Sequence, residues 1–211
     1  MSRYTEASCR LCRREGVKLF LKGQKCMTEK CPVERRAYAP GQHGQGTGRQ
    51  RKASEYSKQL REKQKVKRMY GLTESQFRNT FERATTEPGV KGTNLLVALE
   101  TRLDNVVYRL GFASSRKAAR QLIAHGHVEV NGRRVDIPSF RVEVGQEVRV
   151  APGSRELVAV KAAQEFAAKG QPVAWLGVDQ EKAAGRLLEK PSREQIPVNA
   201  QEQLIVELYS K

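Results

Sequence analysis

Four cysteines stand between positions 9 and 31, and they are all the cysteines of the chain. Cys9-x2-Cys12 is followed, after thirteen residues, by Cys26-x4-Cys31. Two short cysteine turns joined by a loop can bring four thiolates to one point, which is what tetrahedral zinc requires. Arg10, Arg13, Arg14, Lys25 and Lys30 surround them; such cations favour thiolates and offset the negative charge of a four-thiolate centre. The spacing predicts Zn2+ held by Cys9, Cys12, Cys26 and Cys31. An iron–sulfur cluster, which also takes four cysteines, is the lesser alternative. Two disulfides, or thiols left free, are the others, and disulfides disagree with a cytoplasmic chain.

A second constellation is cationic. Ser115-Arg-Lys-Ala-Ala-Arg-Gln-Leu122 predicts a helix with Ala118, Ala119 and Leu122 inward and Arg116, Lys117 and Arg120 outward. Arg133 and Arg134 leave a predicted Asn131-Gly132 turn. A basic helix face beside a basic hairpin grips RNA backbone by charge and shape rather than by base sequence. The bland alternative is a solvated helix face. His125 and His127 flank Gly126, where an imidazole at a helix end serves structure as readily as it serves RNA.

Composition decides between these readings. The chain carries 39 Lys+Arg against 23 Asp+Glu, a formal charge of +16. Residues 1–70 hold 19 of the basic side chains and only 6 of the acidic ones, and residues 101–154 form a smaller positive focus. Two separate basic surfaces suit a polyanion gripped at more than one place. No run approaches the roughly 20 apolar residues of a membrane span, and the N-terminus has no signal-peptide core. A soluble, cytoplasmic protein is expected.

The elements that must position these groups are legible in part. Residues 41–53 read as a glycine-rich basic connector whose glycines nothing apolar repays. Ser54 starts a helix to about Tyr70, sparse in apolar residues and crowded with Lys58, Arg61, Lys63, Lys65, Lys67 and Arg68. A helix with so narrow an apolar face lies in water or against something anionic. Thr73-Glu-Ser-Gln76 has capping-box spacing ahead of Phe77 and Phe81. Thr93 opens a long helix carrying Leu95, Leu96, Leu99, Leu103, Val106, Val107 and Leu110 to Gly111. Ser114 caps the basic helix, Val128–Val130 and Arg133–Val135 form a hairpin across a type I′ turn, and Glu147–Ala151 is a further strand. Leu157 to Ala168 is helical, residues 170–198 are irregular, and Asn199 to Tyr209 is an amphipathic helix. That last face needs a partner: the Leu95–Leu110 helix or the one with Phe77 and Phe81.

Arg102-Leu-Asp-Asn-Val-Val-Tyr-Arg-Leu-Gly-Phe112, followed by Ser115-Arg-Lys-Ala-Ala-Arg-Gln-Leu-Ile-Ala-His-Gly-His-Val-Glu-Val-Asn-Gly132, closely resembles the signature of the S4 family of small-subunit ribosomal proteins, in its bacterial, cysteine-containing subtype. Cys-Arg-Leu-Cys12, Pro40-Gly-Gln-His-Gly44, Gln59-Leu-Arg-Glu-Lys-Gln64, Gln76-Phe77-Arg78 and Gln203-Leu-Ile-Val-Glu-Leu-Tyr-Ser-Lys211 extend the likeness over nearly the whole chain. Gln45-Gly-Thr-Gly48 departs from it, being glycine-rich where more basic residues are expected.

The resemblance implies an α+β fold: a mainly helical first domain with an N-terminal zinc knuckle, and an inserted S4 RNA-binding domain of two helices packed on a small antiparallel sheet. The expected divisions are 1–45 (knuckle and basic arm), 46–100 (helical domain), 101–163 (RNA-binding domain), 164–198 (irregular extension) and 199–211 (a C-terminal helix returning to the helical domain). It further implies a structural constituent of the small ribosomal subunit, in the cytoplasm. Such a protein binds a multi-helix junction in the 5′ domain of 16S ribosomal RNA early in assembly. It neighbours another small-subunit protein near the path where messenger RNA enters, and through that neighbour bears on translational accuracy. Its candidate RNA contacts are Arg3, Arg13, Arg14, Arg35, Arg36, His43, Arg49, Arg51, Lys52, Lys58, Arg61, Lys63, Lys65, Lys67, Arg68, Arg116, Lys117, Arg120, Arg133 and Arg134.

Two rival functions fare worse. S4 domains also occur as appendages of RNA-modifying enzymes, but no segment here is left over for a concave substrate domain, and no G-x-S-x-G, P-loop or nucleophile–histidine arrangement appears. A zinc-dependent DNA-binding regulator would need a base-reading helix after the cysteines, where the sequence has a loose arm. Catalysis, a small-molecule substrate and a membrane are not expected.

Overall fold

The computed structural model describes residues 4–45, 52–170 and 173–210. The chain divides into two compact units, Met1–Gly92 with Val198–Lys211, and Thr93–Pro197.

The first unit begins with the knuckle: α1 (Cys9–Glu15), a single 3-10 turn (Gly23–Cys26) and α2 (Pro32–Arg35). Beyond the connector come α3 (Glu55–Met69) and α4 (Glu74–Thr86), and the C-terminal helix α9 (Glu202–Tyr209) completes the unit. The caps follow local chemistry. Ser54 accepts from the Ser57 N–H, and Thr73 and Gln76 form a reciprocal capping box. Helix α9 packs along α3, where Gln59 Nε2 donates to Glu207 Oε2 at 3.0 Å and the Gln201 N–H donates to Glu62 at 2.7 Å. At its far end Tyr209 stacks on Phe81, ring centroids 4.6 Å apart, and on Phe77. A buried Ile205 and a buried Phe77 complete the apolar seat.

The second unit holds α5 (of Lys91–Glu100, the part from Thr93 on), α6 (Leu103–Arg109), α7 (Arg116–Ala124), α8 (Val158–Ala167) and a five-stranded sheet. Its strands are β1 (Val128–Val130), β2 (Arg133–Arg134), β3 (Glu147–Val150), β4 (Leu176–Asp179) and β5 (Ala184–Leu187) in the order β2-β1-β3-β5-β4, each pairing antiparallel. Asn131 and Gly132 both take positive φ, 49° and 77°, as a two-residue I′ turn requires. Leu103, Val106, Leu110, Phe112, Ile123, Val128, Val148, Val150, Val160, Trp175 and Leu187 share one core.

Three sequence expectations need correction. The long helix from Thr93 to Gly111 is two helices, broken at Thr101-Arg102. Leu103 N–H donates to Phe140 O, Asp104 N–H to Pro138 O, and Val142 N–H reaches Thr101 O. A crossing segment thus satisfies the backbone at the break, and Arg102 is extended (ψ 140°) as the cap of α6. Residues 170–198 are not wholly irregular, because β4 and β5 lie within them. Alanine and glycine at Gly177, Ala184 and Gly185 conceal those strands from propensity. Their selection is tertiary, since a Cβ on Gly185 would meet Leu110 at 2.3 Å. The cap of the basic helix is Ser115, one residue later than expected, accepting from the Ala118 N–H.

Candidate nucleic-acid interface and cysteine knuckle

The knuckle brings its thiols together. Cys12, Cys26 and Cys31 are buried and Cys9 is half-buried, none of them in a disulfide. Burial pushes the Cys12 thiol above its ordinary range, a nearby backbone N–H at Leu19 works against that, and Cys26, Cys9 and Cys31 add mutual repulsion. Cys26 is raised likewise, by burial first, against N–H groups at Lys22 and Leu21 and with repulsion from Cys31 and Cys9. The Lys22 N–H lies 3.3 Å from Cys26 Sγ. Cys12 and Cys26 thus each feel the other cysteines, and the knuckle rests on a floor of Leu19 and Leu21 with Leu11, Val33 and Met69. Among the described residues, no three His, Cys, Asp or Glu side chains are drawn into a group that could hold a metal ion as they stand. As a donor set, four soft ligands on one small module, with N–H groups aimed at two of them, suit the chemistry of a thiolate metal centre.

The cations of α3 lie against carboxylates that belong to the chain itself. Glu15, at the end of α1, has a side chain only 3% exposed, under Arg61 at 3.4 Å and Arg68. Lys63 and Lys67 reach the two oxygens of Glu74 at 2.5 and 2.7 Å, and Lys65 reaches Glu62 at 2.6 Å. The Tyr209 hydroxyl donates to Glu74 as well, at 3.2 Å. Burial works to raise the Glu74 carboxyl, but the hydrogen bonds and charges of Lys63 and Lys67 prevail and bring it down to about 2. Burial, then the Glu74 charge and hydrogen bond, push the Tyr209 phenol up. Arg13 is also committed, donating to Tyr38 O at 2.9 Å and Ala39 O at 3.3 Å with its guanidinium over the Tyr38 ring.

Other predicted contacts in this unit face solvent. Arg14, Arg35, Arg36, His43, Lys52 and Lys58 are exposed, Lys58 with a surface partner in Glu55 at 2.6 Å. Arg3, Arg49 and Arg51, with the rest of residues 46–51 of the glycine-rich connector, lie outside the described residues.

In the second unit, α7 does not present its three cations alike. Arg120, expected outward, is buried and donates to Asp104 Oδ2 at 2.9 Å; Arg102 binds the same carboxylate through two nitrogens, at 3.1 and 2.8 Å. Arg116 donates to Asn105 Oδ1 at 2.7 Å and crosses the Tyr108 ring at 4.7 Å. Asn105 in turn donates to the fully buried Glu100, which Arg109 holds at 3.0 and 2.8 Å. A polar network thus pins α7 to α6. The outer line of α7 is Lys117, Gln121 and His125, all exposed, and the exposed Arg133 and Arg134 stand beside it on the hairpin. Arg134 Nη2 donates to the His125 carbonyl at 3.3 Å. It crosses directly over Gly126, where a Cβ would sit 1.9 Å from the guanidinium. His127 is occupied inside, its Nδ1 2.8 Å from Ser154 Oγ.

Sequence reasoning passed over the groups that sort these cations, namely Glu15, Glu74, Glu100, Asp104 and Asn105. No local pattern marks Glu15 or Glu74 as counter-ions. Asp104-Asn105 did carry a signal, since two polar residues interrupt an otherwise apolar helical face.

Two family models cover most of the chain. One described as the ribosomal protein S4/S9 N-terminal domain matches residues 3–100, and one described as the S4 domain matches residues 101–148. Among curated relatives, the small ribosomal subunit protein uS4 of Syntrophomonas wolfei is 58% identical over 211 residues, covering 100% of both chains. Small ribosomal subunit protein uS4 of Acidobacterium capsulatum is 56% identical over 212 residues, and uS4A of Alkaliphilus oremlandii is 58% identical over 211, again with 100% of each chain covered.

Proposed function

The chain belongs to the S4 family of ribosomal proteins, and from that premise we propose that it gathers helices of the small-subunit ribosomal RNA by neutralising phosphates at two cationic faces. It is a non-enzymatic constituent of the small ribosomal subunit, at work in the cytoplasm, with ribosomal RNA and neighbouring ribosomal proteins as partners. Among the described residues no helix is long and apolar enough to cross a membrane.

One observation carries the binding mode. Lys117 of α7 and Arg133 and Arg134 of the hairpin are exposed, Arg134 reaching the His125 carbonyl at the end of α7, while Arg116 and Arg120 turn inward to brace the helix. A rigid helix and hairpin tip with a fixed spacing of cations suits A-form RNA, which is read by shape, 2′-hydroxyls and phosphates. Arg14, Arg35, Arg36, Lys52 and Lys58 supply the corresponding contacts on the first unit. The target is a multi-helix junction in the 5′ domain of 16S ribosomal RNA, and a neighbouring small-subunit protein near the incoming messenger RNA completes the setting.

Zn2+ on Cys9, Cys12, Cys26 and Cys31 is the second part of the proposal. Its support is the donor set itself: four cysteines on one small module, none in a disulfide and three of them buried, with the Lys22 N–H 3.3 Å from Cys26 Sγ. The ion would supply no reaction; it would cross-link a small knuckle whose own apolar floor is slight. Glu15, at the end of α1, ties the knuckle to α3, so a folded knuckle sets where Arg61 and Arg68 stand.

Filter binding of the full chain to a transcript of the small-subunit 5′ domain, over a salt series, tests the binding mode. Lys117→Ala and the double variant Arg133→Ala/Arg134→Ala should weaken binding. Each lost phosphate contact should flatten the log–log salt slope by roughly 0.7–0.9 units. Changes of paired sequence that keep the junction's shape should leave these losses the same. Wild-type affinity in both variants would transfer binding to the first unit alone.

A further inference from the structure

Phe20 stands in the knuckle loop between α1 and the 3-10 turn with φ at 51°, in the left-handed region. Glycine adopts that conformation freely, and a bulky residue there is a true outlier. The geometry of the loop explains the turn but not the side chain. Leu19 on one side is buried and its N–H faces Cys12; Leu21 on the other side is buried, and the N–H groups of Leu21 and Lys22 face Cys26. The left-handed residue between them lets adjoining stretches of backbone serve two different sulfurs. Any such turn expels its central side chain, and Phe20 is accordingly 38% exposed between neighbours at 1% and 9%. Glycine would make the same turn without strain, so the aromatic ring is not there for the turn.

The surroundings favour one kind of partner. Residues 8–36 carry nine Lys and Arg against three Glu, and Arg14, Lys22, Lys25, Lys30, Arg35 and Arg36 are exposed. An exposed ring on a segment so rich in cations is unlike the core of a protein–protein contact, from which charged residues and lysine in particular are depleted. It is like the platforms on which unpaired bases stack, where an aromatic face takes the base and the cations around it take the phosphates.

We propose that Phe20 is a base-stacking residue, held out from the knuckle by its left-handed backbone to receive an unpaired nucleotide of the ribosomal RNA. This rests on the chain being an RNA binder, and its failure is separable from the failure of that reading, because the Lys117 and Arg133/Arg134 variants test binding on the other unit.

The test combines affinity, salt dependence and fluorescence of the full chain with the 5′-domain transcript. Phe20→Ala should weaken binding roughly 5- to 100-fold while leaving the salt slope unchanged, because stacking releases no counterions. Phe20→Leu keeps apolar volume without a π face and should lose affinity comparably, which covers the case in which the alanine variant fails to fold. Phe20→Trp should bind like the wild type. Its emission is separable because the native Trp175 is fully buried, and the transcript should quench it. Wild-type affinity in Phe20→Leu overturns the proposal. So does position-20 emission that ignores the transcript and changes only when other small-subunit proteins are added.

Discussion

Arg120 Nη1 donates to Asp104 Oδ2 at 2.9 Å, with side chains only 10% and 5% exposed. A residue of the basic signature is thereby part of the frame that holds α7 against α6. Breaking a buried pair from one side leaves the other charge stranded in a poor dielectric, a loss of about 3–5 kcal/mol.

Asp104→Asn should therefore lower stability by about 3 kcal/mol, since Arg102 and Arg120 both lose their counter-ion. Lys117→Ala should stay within about 0.5 kcal/mol of the wild type. Urea midpoints at constant m-value check both. Equal stability of the two variants would mean that the α6–α7 network adds nothing.

The Cys-rich knuckle should be metal-dependent. Elemental analysis of freshly reduced protein should return roughly one zinc per chain, and Cys12→Ser or Cys26→Ser should lose it. Near-zero metal would refute the zinc assignment. Iron with visible absorbance would replace it by a cluster.

Glu74 gives acid stability a specific cause. Its carboxyl titrates near 2 when folded, against an ordinary 4.5. A depressed carboxylate stabilises above its unfolded pKa, and that contribution is lost as pH falls from about 5 toward 2. The side chain is 38% exposed, so after solvent screening the contribution is on the order of 1 kcal/mol. Glu74→Gln should flatten this part of the stability–pH curve and change little in shape between pH 6 and 8. An acid limb identical to that of the wild type would contradict the Lys63–Glu74–Lys67 geometry.

The C-terminal helix should be integral to the first unit. Tyr209→Ala removes a ring stacked on Phe77 and Phe81 and should cost about 2–3 kcal/mol. Truncation before Asn199 also removes buried Ile205 and the Gln59 and Glu62 contacts, and should lower the thermal midpoint by several degrees more. An unchanged melting curve after truncation would show the helix to be dispensable.

Much of the fold could be read directly from residues, and the legible parts share one property. The Thr73–Gln76 capping box, the Ser54 cap and the Asn131-Gly132 turn are each decided within about four residues of chain. A side chain there meets its own backbone whatever the rest of the molecule does. The amphipathic face of α9 announced that a partner was needed, because apolar side chains at helical spacing cannot remain in water.

Only the tertiary structure decided matters that depend on groups distant in sequence. The break at Thr101-Arg102 exists because residues 138–142 cross there and take up the backbone donors. Strands β4 and β5 exist because β3 offers a free edge and Leu110 needs the space above Gly185. Above all, the sequence set out the cations without their counter-ions. Lys63 and Lys67 face Glu74, Arg68 faces Glu15 and Arg120 faces Asp104, while Lys117 and Arg133 stand exposed at the surface. A positive side chain looks the same in sequence whether it meets a phosphate or a carboxylate. Its direction is settled by whichever anion the folded chain brings within a few ångströms of it.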